Sequence, residues 1–235
     1  VLGANTDPYQ PIERQLGISR EILQVLSEFN QPVTILTKSA GILRDLDILE
    51  SMAKRNLIHV YCSITTLDAQ LAHRMEPRAA APSKRLRVLQ ELSKRSISTG
   101  VLVSPIIPRI NDSELETILQ ASARSGACCA GYILLRLPYQ VKEIFSAWLY
   151  EHFPKRATRV LNAIRETGNG ELYQNSFGVR MSGTGPYAKL LEHRFHLALQ
   201  RNDLAGSPKS LNCELFEVPQ ARKHQQEHSE QLKLF

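Results

Sequence analysis

Apolar positions along the chain switch between two spacings. PVTILT (32–37) is a β-branched run, the pattern of a strand, and LIHVYCSIT (57–65), STGVLVSPIIP (98–108) and AGYILLRLP (130–138) are further short apolar runs that read as strands. VLGAN (1–5) reads as the end of another. Between these runs apolar residues recur every three or four positions. Ile22, Leu23, Val25 and Leu26 mark a helix over 20–30 with Ser19 as its cap. Leu43, Leu46, Ile48, Leu49 and Met52 mark a second over 43–55. Further helical patterns cover 83–95, 114–125 and 139–151; Asp112 or Ser113 caps the middle one and Gly126 ends it. Pro105 is expected to stop its strand, and the polar stretch between 66 and 82 to be a link.

Strand followed by helix thus repeats five times, which predicts an α/β fold with a parallel sheet and right-handed crossovers. Five units are too few to close an eight-stranded barrel. An open or partial barrel, or a doubly wound sheet, fits. A helix over 154–167, a glycine-rich stretch (168–185) and a helix over 186–201 follow. From 217 on the chain is polar and aperiodic, which predicts a disordered tail. The expected division is a barrel over 1–150, a helical extension over 151–216 and a flexible tail over 217–235.

Composition narrows the class. Of 235 residues 43% are hydrophobic and 22% charged, as in a soluble globular protein. No apolar run approaches the ~18 residues of a membrane span. Against 23 acidic residues stand 29 basic ones, a mild bias toward anionic partners. Much of the excess lies in 74–95 and is expected to be a solvated helix face. Cys62, Cys128, Cys129 and Cys213 match no zinc, iron–sulfur or redox spacing and are expected as buried thiols in a reducing cytoplasm.

Candidate chemistry collects where a parallel βα architecture puts ligands, at the carboxyl ends of the strands. The strands deliver in turn Asn5, Thr6 and Asp7; Thr37, Lys38 and Ser39; Ser63, Thr65, Thr66 and Asp68; Pro105, Pro108, Arg109, Asn111 and Asp112; and Arg136. Taken alone, each cluster is also what turns are made of. Lys38 and Arg136 are harder to dismiss, since a cation just past a buried strand usually has a partner. A Schiff-base aldolase with Lys38 as its amine uses the same layout. No G-x-G-x-x-G, Walker or G-x-S-x-G sequence is present. His193 and His196 lack a matching carboxylate and read as a surface pair.

The series G-x-N-T-D-P-Y-Q-P-x-E (3–13), T-K-S (37–39), S-x-T-T-L-D (63–68), E-P-R (76–78), P-x-I-P-x-x-N-D (105–112) and Y-x-L-L-R-L-P (132–138) resembles the spore-photolyase-like branch of the radical S-adenosylmethionine (SAM) enzymes. That branch is often labelled DNA repair photolyase. The resemblance covers about residues 1–200. It implies a partial (βα)6 barrel in which a C-x-x-x-C-x-x-C loop after the first strand holds a [4Fe–4S] cluster. SAM completes the cluster and is cleaved to a radical that abstracts a substrate hydrogen. No C-x-x-x-C-x-x-C occurs here, and only five of six strands are expected. The resemblance therefore implies a chain lacking the first strand and its cluster loop, inactive by itself, with VLGAN as the second strand.

Carried over residue by residue, the resemblance puts Thr6 at the methionyl amino group of SAM, Lys38 at its carboxylate, Ser63 at the same end or the ribose, and Arg85 at a second carboxylate clamp. It puts Pro105 and Ile106 beside adenine, and Asn5, Asp7 and Arg136 on the substrate side. Tyr9, Tyr139 and Tyr187 are expected to be structural rather than hydrogen-atom relays. The chain ends QLKLF, similar to the Q-L-x-L-F peptide by which bacterial repair proteins bind the sliding clamp, with Gln231, Leu232, Leu234 and Phe235 as the contacts. The resemblance and the basic excess point to DNA as a partner. The alternatives are the aldolase-like metabolic enzyme and a non-catalytic scaffold on DNA or the clamp.

Overall fold

The computed structural model describes residues 1–173, 175–176 and 178–217. QLKLF lies outside these residues. Four parallel strands form one sheet in chain order: β1 (Val33–Thr37), β2 (Ile58–Ser63), β3 (Ser98–Ile106) and β4 (Cys129–Leu134). Helices α1 (Glu13–Leu16) and α2 (Ile18–Glu28) precede β1. A 3-10 turn (Ala40–Asp45) and α3 (Leu46–Lys54) lead to β2, then α4 (Ala69–Met75) and α5 (Pro82–Ser93) to β3. A second 3-10 turn (Asp112–Glu114) and α6 (Leu115–Arg124) lead to β4, followed by α7 (Val141–His152), α8 (Ala157–Thr167) and α9 (Gly185–Arg201). The alternation expected from the sequence is present as a mixed α/β fold with an all-parallel sheet, consistent with a partial barrel.

VLGAN does not form a strand of its own length. Leu2 alone bridges Ile35, with hydrogen bonds Leu2 N to Thr34 O and Leu36 N to Leu2 O, both 2.9 Å. Gly3 then turns away at φ +92, and a Cβ there would lie 2.0 Å from the Leu36 carbonyl. Only glycine permits that turn and that approach. Past the far side of the sheet, Ala205 makes a similar single bridge beside Cys129.

Other expectations are revised by particular contacts. Ser19 does not cap α2: its side chain donates to the Pro8 carbonyl, and its backbone N–H is capped by Glu13 Oε1 at 2.9 Å. Neither Asp112 nor Ser113 caps the helix that follows; Asp112 instead accepts from the Tyr187 hydroxyl. Pro105 does not end β3, which runs on to Ile106 through a register irregularity after Val103, where a missing N–H is tolerated. The stretch read as a link contains α4, started by Asp68, whose carboxylate accepts from Gln70 N and Leu71 N. Helix α9, placed outside the barrel by sequence, contributes Leu191, Phe195 and Leu199 to the same core as the sheet. Of the four thiols, Cys128 and Cys213 are exposed, against the expectation of burial.

The sheet has two unlike faces. Val33, Ile35, Val60, Cys62, Val101, Val103 and Ala130 point into one apolar core shared with the helices. The opposite face carries His59, Tyr61, Ser98, Gly100 and Cys129 in matching register. A side chain at Gly100 would meet Tyr61 at 2.6 Å and the Cys129 sulfur at 2.7 Å, so this face is already filled at its amino end.

His59 lies there fully buried, with Nδ1 at 2.8 Å from Ser98 Oγ and Nε2 at 3.6 Å from the Cys129 sulfur. Burial lowers its pKa to about 4. An unfolded histidine titrates near 6.5, so between those values the unfolded state holds more protons and folding weakens as pH falls. The expected loss is about 3 kcal/mol across that window. Urea unfolding from pH 7 down to 4 should show it, and His59→Gln should flatten the slope. An unchanged slope in the variant would assign the acid sensitivity to other groups.

Candidate functional site

The carboxyl ends of β1 to β3 are tied together by a connected polar network. It starts at Asp7, in the segment that Leu2 delivers to the sheet edge. Asp7 accepts from Thr37 Oγ1 (2.8 Å), Lys38 N (2.7 Å) and Tyr9 N (2.9 Å). A carboxylate so engaged orders the T-K-S turn. Beside it, Asn5 and Thr6 are exposed.

Lys38, just past β1, directs its ammonium onto Glu76, which follows α4. Glu76 also accepts from Thr65 Oγ1 at 3.1 Å and from Arg85 Nη2 at 2.7 Å. Arg85, on α5, is 2% exposed; its Nε donates to the Ala80 carbonyl and its Nη1 to the Ser63 carbonyl at 3.0 Å. The basic stretch 74–95 is therefore not all solvated face. Ser63 and Thr65 both donate to the Ser104 carbonyl, at 3.1 and 3.2 Å, which joins β2 to β3. Burial pushes the Glu76 carboxyl up, but Lys38 and Arg85 outweigh it and hold the group below the usual carboxylate range.

Two residues not singled out by sequence complete the frame. Glu114 accepts from Thr66 Oγ1 at 2.5 Å and Leu67 N at 2.8 Å, fixing the turn after β2. Asp45, fully buried, accepts from Tyr9 OH, Arg20 and Arg44, while Arg44 also holds the Glu13 carboxylate. No local spacing marks either residue, because the partners that Tyr9, Arg20, Thr66 and Leu67 supply are 25 to 48 positions away. Asn111 is buried and binds Ile107 N, Thr65 O and Pro105 O, so it fastens the loop after β3.

The structure thus brings Lys38, Ser63, Thr65, Glu76 and Arg85 into one network, with Asp7 bonded to the Lys38 backbone and Thr6 next to it in the chain. Arg136 is not in it. It follows β4, three strands from β1 or about 14 Å across the sheet, and its Nη2 is 3.4 Å from the Tyr173 hydroxyl. Tyr9 is a structural residue, as expected, since its ring is buried and its hydroxyl serves Asp45. Tyr139 is 86% exposed.

These residues fit SAM, which carries a carboxylate and an ammonium at one end. Lys38 is a cation of the kind the first needs, and Glu76 beside it a carboxylate of the kind the second needs. They do not fit a [4Fe–4S] cluster. Cys62 is buried with its sulfur on the Arg85 carbonyl, and Cys128 and Cys129 sit at the amino end of β4, away from it. Among the described residues no group of three ligand side chains converges on a metal position.

The sequence pattern of the radical SAM superfamily matches residues 2–121, and the chain belongs to that superfamily. Among similar proteins is an uncharacterized protein of Mycobacterium tuberculosis, 29% identical over 160 residues, covering 67% of this chain and 47% of that protein. Another, from Methanocaldococcus jannaschii, is 32% identical over 109 residues, covering 46% of this chain and 40% of that protein. The chain spans about half the length of the curated relatives it matches. Among solved structures, a cysteine-to-serine mutant of spore photoproduct lyase shares the fold with a TM-score of 0.56 and 16% identity, over 81% of this chain and 55% of that one. No helix among the described residues is long and apolar enough to cross a membrane. The superfamily match leaves the aldolase reading of Lys38 without support.

Proposed function

We propose that this chain forms the SAM-binding part of a radical SAM enzyme of the spore-photolyase-like type. The observation that carries the reading is the network of Lys38, Glu76, Thr65 and Ser63 at the carboxyl ends of the strands, in a chain of this superfamily. A [4Fe–4S] cluster with SAM bound to it would supply the radical chemistry that takes a hydrogen atom from a substrate. The ligands of that cluster are not among the described residues. Lys38 holds the SAM carboxylate by a charge-assisted bond, sharing its ammonium with Glu76. Thr6 is assigned to the methionyl amino group, and Asn5 to the substrate side. Arg85 acts through Glu76, keeping that carboxylate ionised and in place. Similarity of the quoted motifs to the spore-photolyase-like branch supports a substrate carried on DNA.

Lys38→Ala is expected to weaken SAM binding by about tenfold or more, the worth of one hydrogen bond to a charged group. Isothermal titration of the 235-residue chain with SAM checks it, with circular dichroism confirming the fold. Equal affinities would take Lys38 out of the site.

A further inference from the structure

A second concave region lies beyond the Lys38 network and shares no residue with it. It is a cavity of about 290 Å³ lined by Arg109, Asp112, Arg156, Arg159 and Tyr187, with Ser113 and Val160 completing the wall. Arg109 belongs to the loop after β3, Arg156 and Arg159 to the start of α8, and Tyr187 to the first turn of α9. Elements distant in sequence therefore place three guanidinium groups around one space.

None of the three guanidinium groups forms an ion pair with a carboxylate among the described residues. The one acid in the wall, Asp112, already accepts the Tyr187 hydroxyl. The arrangement is also held in place. Arg156 donates to the Arg109 carbonyl, and Arg109 takes φ +64, a conformation few residues other than glycine adopt. Helix α8 starts at Ala157, so the positive end of an 11-residue helix adds to the same potential. Converging guanidinium forks and a helix start are the donors that a tetrahedral oxyanion requires.

We propose that the Arg109–Arg156–Arg159 pocket binds a phosphate group. Arg109 lies in the loop after β3, which puts the pocket at the carboxyl side of the sheet. Two sources share this chemistry: a nucleic-acid backbone and a small phosphorylated compound. Phosphate binding at this pocket does not depend on SAM binding.

The test uses the 235-residue chain with two probes: pyrophosphate by calorimetry, and a short fluorescent single-stranded oligonucleotide by anisotropy over a salt series. Arg159→Gln and Arg109→Gln are each expected to weaken the bound probe by about tenfold and, for the oligonucleotide, to lower the salt slope by about 1. Arg124→Gln, an exposed cation of α6 outside the pocket, should leave both unchanged. Loss of pyrophosphate binding in the pocket variants identifies a small phosphorylated ligand; loss confined to the oligonucleotide identifies a backbone phosphate. The proposal is overturned if neither probe binds, if the pocket variants bind like the parent, or if Arg124→Gln costs as much as they do.

Discussion

Glu76→Gln should lower the unfolding free energy by about 3–5 kcal/mol, the cost of leaving a buried cation without its counter-ion. The cation is Arg85. Its side chain is 2% exposed, and its only carboxylate partner among the described residues is Glu76, at 2.7 Å. The other donors of Arg85 reach carbonyls of Ala80 and Ser63, so the guanidinium cannot swing out to water without losing its bond to the end of β2. Gln removes the charge and turns an N–H₂ toward cations that need an acceptor. The loss should appear as a lower urea midpoint with an unchanged slope. Pairing Glu76→Leu with Arg85→Met should recover much of it, because two apolar residues of similar volume incur no charge-burial penalty. A Glu76→Gln midpoint within error of the parent would mean that Arg85 is compensated elsewhere. Acid should mimic the substitution: a carboxyl held low stabilises above its unfolded pKa of about 4.3 and loses that contribution as pH falls through the lower folded value.

Asp45→Ala is expected to be comparably severe, by about 3–5 kcal/mol. Asp45 is fully buried and accepts four bonds, from Tyr9 OH (3.1 Å), Arg20 Nη1 (3.0 Å), Arg44 Nε (2.9 Å) and Arg44 Nη2 (3.1 Å). Through Tyr9 and the Arg44–Glu13 pair it anchors the polar segment that bears Asn5, Thr6 and Asp7. Burial and the neighbouring Asp45 carboxylate push the Tyr9 phenol far above its ordinary range, so it remains a donor at every accessible pH. Hydrogen exchange separates this role from a general loss of stability. Amides of 5–17 should exchange faster in Asp45→Ala than the strands do, and Asp45→Asn, which keeps an acceptor but not the charge, should fall between. Uniform acceleration across the sheet would instead make Asp45 a plain core residue.

The site and the fold depend on each other through these two acids. The four-strand sheet ends in turns, and the turns are held by side chains rather than by ladder bonds. Asp7 closes the turn after β1, Glu114 the turn after β2, and Asn111 the loop after β3. Motif residues that read as ligands in the sequence are therefore partly scaffold. Asp7 is the clearest case: its carboxylate accepts from two backbone N–H groups and from the Thr37 hydroxyl. Glu76 is the converse, a residue of the short E-P-R motif near the expected carboxylate clamp, which joins Lys38, Thr65 and Arg85.

Periodicity alone determined a good deal. Short apolar runs at 32–37, 57–65, 98–108 and 130–138 could bury one face only as a sheet, and the helical spacings between them required parallel crossovers. The polar crowding at strand ends was legible too, because turns and ligand contacts draw on the same residue types. Tertiary structure decided which of those residues have spare valence. Asp7, Asn111 and Arg85 are consumed by partners up to 46 positions away, while Arg109, Arg156 and Arg159 are brought together and left without a counter-ion among the described residues. It also decided that Leu2 contributes one bridge instead of a strand, through the contact of Gly3 with the Leu36 carbonyl. Hydrophobic spacing is a property of neighbours along the chain and survives in one dimension. The pairing of a buried charge depends on which side chains meet in space, and only the folded chain specifies that.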